Sequence, residues 1–172
     1  RTGFRIDLKG SNNFFGFSPD LICLGKAIAN GYPISALVGK DTLKESAENV
    51  YFTGTQFLNS APMAAAKATI DELIKQDAVT KMNNFGNLLK ERLVKIAEDF
   101  DIKMIVSGVP AMPYYRIEHE DKTLHSRWVD ACLSKGLYLT DYHNHFISVA
   151  HEDEHLIKVE NIAREAFEAV KL

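Results

Sequence analysis

The sequence has little cysteine, no excess of basic charge and no long hydrophobic run. Its two cysteines, Cys23 and Cys132, are too few for a disulfide framework. Both lie in apolar stretches, so we expect small buried hydrophobic residues in a reducing, cytoplasmic setting. The net charge of −3 and the absence of a basic stripe argue against a nucleic-acid partner. No apolar run approaches the length of a membrane span.

What the sequence does contain is typical of a globular domain. Hydrophobic residues make up 46% of its 172 residues and charged residues 25%. A chain of this length is long enough to bury a core, either as one domain or as two small ones. The pattern of short apolar strands followed by amphipathic helices indicates a mixed α/β fold.

The most informative stretch is the short apolar run Leu21–Leu24, which begins after Pro19 and ends at Gly25. It lacks alternation, which is typical of a strand buried on both faces of a parallel sheet. Lys26 follows at the carboxyl end of this strand, the edge where open α/β sheets bind their ligands. A lysine partly withdrawn from water at that edge would keep a neutral amine able to form a Schiff base.

The alternative is that Lys26 simply marks the place where a strand meets water, as many strand-end lysines do.

A second stretch, Tyr51–Thr55, also allows two interpretations. Its glycine and two threonines can offer backbone N–H groups and a hydroxyl to a phosphate. They are equally typical of an ordinary turn before a helix.

Several short motifs occur in a fixed order along the chain. They are Thr2–Arg5, Gly16–Asp20, Gly25–Lys26, Gly31–Ala36, Gly54–Asn59, Ala64–Ala66 and Ser148–His151. This series resembles the class III aminotransferases, which are pyridoxal-phosphate (PLP) enzymes of fold type I. It is most similar to the branch that contains glutamate-1-semialdehyde aminomutase, and the resemblance extends over nearly the whole chain.

The resemblance implies an aminotransferase or 2,1-aminomutase acting on small amino, keto or semialdehyde substrates. Lys26 would hold PLP as a Schiff base and then move the proton during amino transfer. Gly54 and Thr55 would contact the PLP phosphate of a neighbouring protomer, so a homodimer is implied. The family's aspartate that pairs with the pyridine nitrogen would precede Arg1, and so would its phosphate loop and ring-stacking aromatic. We therefore expect the chain to be the C-terminal part of a longer enzyme.

The expected fold is the C-terminal part of a fold type I large domain, residues 1–75, followed by a small α+β domain, residues 76–172. A loop anchored by packed phenylalanines is expected over residues 6–18. Periodicity and capping residues predict helices over about 42–48, 59–75, 77–98, 122–136 and 153–171. Further strands are predicted at 34–38, 103–106, 113–118, 137–139 and 146–149.

Three other interpretations stay open at this stage. The run His151–His155 matches the H-E-x-x-H pattern of zinc hydrolases, but its acidic centre is also typical of a helix N-terminus, which would place His151 before the helix. Arg116, in a predicted strand, has the chemistry to clamp a substrate carboxylate. Finally, the chain has the features of a non-catalytic piece that only dimerises.

Overall fold

The computed structural model describes residues 3–170, and the chain divides into two compact units, Arg1–Val79 and Thr80–Leu172. Thr2, the first residue of the motif series, lies outside the described residues. Within the described part, no helix combines the length and apolarity that crossing a membrane requires.

The first unit contains one two-stranded sheet. Strand β1 (Leu21–Leu24) pairs antiparallel with β2 (Ala36–Gly39), with Leu21 opposite Gly39 and Leu24 opposite Ala36. The predicted parallel strand buried on both faces is therefore wrong. Leu21 is 50% exposed and Leu37 59% exposed, because within residues 3–170 the hairpin is not enclosed between two layers. Cys23, expected to be buried, is an exposed free thiol, whereas Cys132 is buried and free as predicted.

The core of the first unit lies beside this hairpin. It is built from four buried residues: Phe4, Ile28, Ala29 and Ala66. Two of them belong to the 3₁₀ turn Lys26–Ala29, which packs against helix α3. Residues 6–18 were expected to form a loop with packed aromatic anchors, but Ser11–Phe15 forms a short helix, α1. Its two phenylalanines and Phe17 are exposed, so the core takes Phe4 instead.

Two further helices complete the first unit. A 3₁₀ turn, Asp41–Leu43, leads into α2 (Lys44–Glu48), close to the predicted 42–48. Helix α3 (Ser60–Lys75) begins as predicted, because the Asn59 side chain accepts the Ala61 N–H at 3.2 Å. The apolar residues of this helix cover a wide arc and predict that it is well buried, which is wrong. Only Pro62 and Ala66 are buried, while Ala65, Ile70 and Leu73 are partly buried against the core.

In the second unit, helix α4 (Ala78–Asp99) confirms the predicted amphipathic helix. Its buried positions follow the three- and four-residue steps of the sequence: Met82, Phe85, Leu89, Leu93 and Ile96. After it, β3 (Lys103–Val109) and β4 (Met112–Glu118) form an antiparallel hairpin. The two-residue turn Pro110–Ala111 connects them.

Helices α5 (Leu124–Ser134) and α6 (Asp153–Val170) pack against each other and complete the second core. Trp128 and Phe167, both fully buried, stack with ring centroids 5.1 Å apart. Helix α5 ends as predicted, because Gly136 adopts a left-handed backbone and Leu137 N–H returns to the Cys132 carbonyl.

The segment between α5 and α6 departs from the prediction. Residues 137–139 and 146–149 were expected to be strands, but neither forms one. The N–H groups of His145 and Ile147 donate to the carbonyls of Pro113 and Ala111, so the chain lies beside β4 without a regular ladder. In helix α6, the spacing of apolar residues predicts that Ile157 faces inward, but the structure leaves it 56% exposed.

Candidate functional site

Lys26 lies directly after β1, where the chain turns into the 3₁₀ segment Lys26–Ala29. Gly25 is extended, and Lys26 then takes a left-handed backbone with φ of 52°. That region is costly for a residue with a side chain, on the order of 1–2 kcal/mol. Such a conformation persists only where its surroundings enforce it, and it is concentrated at functional sites. The buried neighbours Ile28 and Ala29 anchor the turn.

The side chain of Lys26 is exposed. This corrects the expectation of a lysine partly withdrawn from water. The physical reason is the hairpin that carries it, because β1 and β2 are themselves half exposed. In this chain Lys26 is an accessible primary amine on a strained turn.

The loop before α3 carries the other two predicted residues. Thr55 and Gly54 are both exposed, and the Gly54 carbonyl accepts the N–H of Phe57 at 3.1 Å. A Cβ on Gly54 would lie 2.5 Å from the Phe57 ring, which stacks on Phe52 at 4.6 Å between centroids. A side chain at position 54 would displace the exposed Phe57 ring, so glycine lets this ring lie against the loop. The Thr55 hydroxyl makes no hydrogen bond within residues 3–170.

Helix α3 links the two predicted elements. Its N-cap, Asn59, ends the Thr55 loop, and its body packs against the turn that begins at Lys26. No hydrogen bond joins Lys26 to Gly54 or Thr55 in the described part of the chain. The structure therefore places the three residues on two loops supported by one helix.

The stretch on either side of this loop is unusually apolar for an exposed segment. Its exposed hydrophobic residues are Val50, Tyr51, Phe52, Phe57 and Leu58, with Tyr51 90% and Leu58 91% exposed. Exposed apolar surface of this kind marks interaction sites. The loop that carries Thr55 therefore lies within an exposed apolar stretch.

The H-E-x-x-H run does not form a metal site in the described residues. His151 precedes α6, which begins at Asp153, as the acidic cluster predicted. Nδ1 of His151 accepts the Ser148 N–H at 3.0 Å, and Nδ1 of His155 accepts the Glu152 N–H at 2.9 Å. Among residues 3–170, no three His, Cys, Asp or Glu side chains are grouped as metal ligands. Both imidazoles instead support the start of a helix.

Arg116 lies on the exposed side of β4. With His125 and Asp141 it lines a polar cleft of about 250 Å³. Hydrogen bonds from Thr123, together with the pairing to Arg127, lower the pKa of Asp121 in this cleft to about 2. Arg116 itself forms no ion pair within residues 3–170. Its suggested role as a carboxylate clamp remains a prediction.

Sequence reasoning missed one feature of the second unit. A larger apolar cleft lies beside α4 and the extended segment 137–147, with several histidines at its edge. The clustering of His143 and His145 was visible in the sequence. Their position beside a cleft follows only from the return of the chain to β4, which no local pattern indicates.

Comparison with known proteins identifies relatives for nearly the entire chain. A family model described as "Aminotransferase class-III" matches residues 9–170. The aminopentol aminotransferase of Sphingopyxis macrogoltabida is 32% identical over 171 residues, which is 99% of this chain and 40% of that protein. A glutamate-1-semialdehyde 2,1-aminomutase of Legionella pneumophila is 31% identical, over 94% of this chain and 42% of the aminomutase. The predicted resemblance is confirmed.

Solved structures confirm the fold class. The FumI protein of Sphingopyxis sp. MTA144, solved in its PLP internal aldimine form, superposes with a TM-score of 0.92 at 32% identity. The match includes 99% of this chain and 41% of FumI. An omega-transaminase from Sphaerobacter thermophilus shares the fold with a TM-score of 0.84 at 16% identity. The chain thus spans about 40% of the length of the relatives it matches.

Proposed function

The chain belongs to the class III aminotransferases, and we propose that it supplies the lysine of a PLP-dependent amino-group transfer. The observation that carries the proposal is Lys26, an exposed primary amine held on a strained left-handed turn within the Gly-Lys motif. Covalent binding of an aldehyde cofactor requires an accessible primary amine at a fixed position. PLP acts as the electron sink when bound, and the protein orients it and selects the bond that breaks.

The residues present suit this cofactor. Lys26 would hold the cofactor covalently through its amine, and Thr55 would hold the cofactor's phosphate through its hydroxyl. Gly54 has no side chain to obstruct the loop, although the Phe57 ring lies where its Cβ would stand. The aminotransferase and aminomutase names of the relatives support small amino and keto compounds as substrates.

With the cofactor bound, the Lys26 amine would act as the general base that takes a proton from the substrate carbon bearing the amino group. A general base must be neutral at that moment, which a water-poor site favours. Because Lys26 is exposed in this chain, further protein surface must cover it in the competent enzyme. We infer that a second copy supplies part of that surface, through the apolar stretch around Thr55. The proposed assembly is a homodimer in which Thr55 of one protomer serves the cofactor of the other.

A second candidate is a chain that dimerises without catalysis. One observation favours it, the exposure of Lys26. The two candidates differ in whether Lys26 binds PLP at all.

A trapping experiment separates them. The purified chain is mixed with PLP, reduced with borohydride and digested, and the modified peptides are located by mass spectrometry. We expect Lys26 to be labelled well above the other lysines, with a visible absorbance band lost in Lys26→Ala. The matched control is Lys67→Ala, an exposed lysine of α3 that pairs with Asp71. Equal labelling of many lysines, or a band that survives in Lys26→Ala, would refute the proposal.

The homodimer is tested independently by sedimentation. Replacing Tyr51 and Phe52 by serine should shift the chain toward monomer, whereas Leu133→Ala, at an exposed position of α5, should not. A wild-type chain that sediments as a monomer at all concentrations would contradict the assembly.

A further inference from the structure

The second unit contains an apolar cleft of about 430 Å³. Its floor is formed by buried side chains from α4, β4 and the segment before α6: Phe85, Leu89, Leu93, Tyr115 and Ile147. Clefts that bind small molecules have volumes of about 300–1,000 Å³ and are lined mainly by hydrophobic and aromatic groups. Both the size and the lining of this cleft fall within that class.

Three aromatic side chains stand at the opening of the cleft. Tyr138 is 72% exposed, Tyr142 80% and Phe146 46%. Exposed aromatic rings beside an apolar floor leave hydrophobic surface in water, which is unfavourable unless something covers it. The rings of tyrosine suit the mouth of a binding site, because one end is apolar and the other polar.

Two histidines that line the cleft, His151 and His155, supply hydrogen-bond donors. A backbone N–H can only donate, so the bonds from Ser148 N–H to His151 and from Glu152 N–H to His155 leave each Nδ1 as an acceptor. The Ser148 carbonyl is also near His151 Nδ1, at 3.2 Å, but the N–H contact is the shorter. Each neutral imidazole therefore carries its proton on Nε2. Neither Nε2–H meets an acceptor within hydrogen-bonding distance in the described chain.

The position of these two donors selects the ligand. Both histidines line the cleft, with ring centroids 6.2 Å apart. The carboxylate oxygen Oε1 of Glu154 lies 3.8 Å from His155 Nε2, and Asp153 is the first residue of α6. An anionic ligand beside these donors would therefore meet negative charge. An ammonium group has no acceptor atom for the two Nε2–H donors, and water and salt screen its attraction to Glu154, which is 64% exposed. An uncharged oxygen acceptor can bond to these donors without being repelled by the carboxylates.

We propose that this cleft binds an uncharged, mainly apolar small molecule whose carbonyl oxygen accepts a hydrogen bond from His155 or His151. The apolar body lies on Phe85, Leu89 and Leu93, and the aromatic rings at the opening close over it. The proposal concerns the second unit alone and does not depend on Lys26 binding PLP.

The test uses the full chain and N-methyloctanamide, an amide that cannot condense with a lysine amine. Backbone NMR shifts are followed during titration, with octanoate and octylammonium as charged probes of equal chain length. We expect saturable shifts at Tyr138, Phe146 and His155 with a Kd of about 1 mM or below. Both charged probes should bind at least about 5-fold more weakly. Shifts elsewhere, no saturation, or tighter binding of either charged probe would overturn the proposal.

Variants separate the hydrogen bond from packing. His155→Phe keeps a ring but removes the donor and should weaken amide binding about 5-fold, whereas His155→Gln retains a donor and should bind within about 2-fold of wild type. Tyr142→Ala, at an exposed position, should weaken all three probes together. Leu133→Ala, exposed on α5 and outside the cleft lining, should bind as wild type. Equal affinity in the wild type and His155→Phe would remove the assigned donor role.

Sedimentation with and without the amide tests whether a second copy of the chain occupies the cleft instead. If the cleft instead receives a second copy of the chain, the amide should dissociate an existing oligomer, and Tyr142→Ala should do so without ligand. That outcome would replace the small-molecule proposal.

Discussion

The backbone N–H of Thr140 donates to Nε2 of His145 across 3.2 Å. The opposite nitrogen, Nδ1, faces the carbonyl of Pro113 at 3.3 Å. These two bonds define a neutral imidazole with its proton on Nδ1, which connects the extended segment before α6 to strand β4. A second proton on Nε2 would remove the acceptor that Thr140 uses.

The first prediction follows from these two hydrogen bonds of His145. Burial lowers the pKa of His145 below its ordinary value of 6.5, despite the opposing hydrogen bond to Pro113. Burial likewise lowers the pKa of His125. A group whose pKa falls on folding binds its proton more readily in the unfolded chain. Its contribution to the free energy of unfolding is therefore complete above pH 6.5 and is lost as the pH falls below that value.

Urea unfolding between pH 5 and 7.5 measures this dependence. One such histidine adds at most about 1.4 kcal/mol per pH unit to the slope of the free energy of unfolding against pH. His145→Gln should flatten the slope below pH 6.5. Leu133→Ala should keep the wild-type slope. A pH-independent wild type, or an unchanged slope in His145→Gln, would contradict the assignment.

The second prediction concerns Gly86, a buried position of α4. A Cβ at Gly86 would collide with the carbonyl oxygen of Pro110, a backbone atom in the β3–β4 turn that has little freedom to move. Gly86→Ala gains about 1 kcal/mol in helix propensity. Overpacking costs typically about 1–3 kcal/mol, and a clash with backbone lies at the upper end. We expect a net loss of at least about 1 kcal/mol.

Trp128, the single tryptophan, reports this unfolding through its fluorescence. Asn87→Ala, at the neighbouring exposed position, is the control and should change stability by no more than about 0.5 kcal/mol. Wild-type stability in Gly86→Ala would mean that the turn lies farther from α4 than the structure places it.

The sequence predicted the helices of this fold far better than its strands. Helices α4, α5 and α6 were located within a few residues, because a 3.6-residue period and its caps are local properties. Strands depend on partners that are distant in the chain. The apolar run Leu21–Leu24 correctly indicated a strand, but its burial and parallel pairing require layers that no local pattern specifies.

The sequence motifs name candidate site residues, whose roles stay predictions, but they do not indicate how exposed these residues are in the fold. Lys26 and Thr55 were identified from their motifs, while the exposure of Lys26 depends on what packs over the β1–β2 hairpin. The same limit explains Phe14 and Phe15, whose aromatic character indicated packing but whose short helix leaves them exposed. Residues 137–139 have the composition of a strand and meet no ladder partner in the described chain.

The third prediction tests the inward face of α6. Phe167 is fully buried against Trp128, so Phe167→Ala should cost about 3–5 kcal/mol through lost burial and a cavity. Ile157 lies on the same helix but is 56% exposed, and Ile157→Ala should change stability by no more than about 0.5 kcal/mol. Denaturant unfolding of the two variants measures the difference. Similar losses in both would mean that Ile157 faces a packed surface.

The last prediction concerns the backbone at Lys26. With φ at 52°, an alanine keeps the left-handed strain of about 1–2 kcal/mol, and a glycine is free of it. Glycine also gives the unfolded chain more conformational freedom, which offsets about 0.4–1 kcal/mol. Strain is the larger of the two effects, so Lys26→Gly should be more stable than Lys26→Ala by about 0.5–1 kcal/mol. The comparison is independent of any cofactor, because neither variant has the amine.

Amide hydrogen exchange of the β1–β2 hairpin and of Ile28 measures this difference within the first unit. Lys67→Gly and Lys67→Ala provide the matched pair on α3, where glycine should instead be the less stable by about 1 kcal/mol. Opposite signs at positions 26 and 67 would establish that the backbone at Lys26 is left-handed in solution. If glycine is less stable at both positions, the turn adopts an ordinary conformation, and the strain that singles out Lys26 is absent.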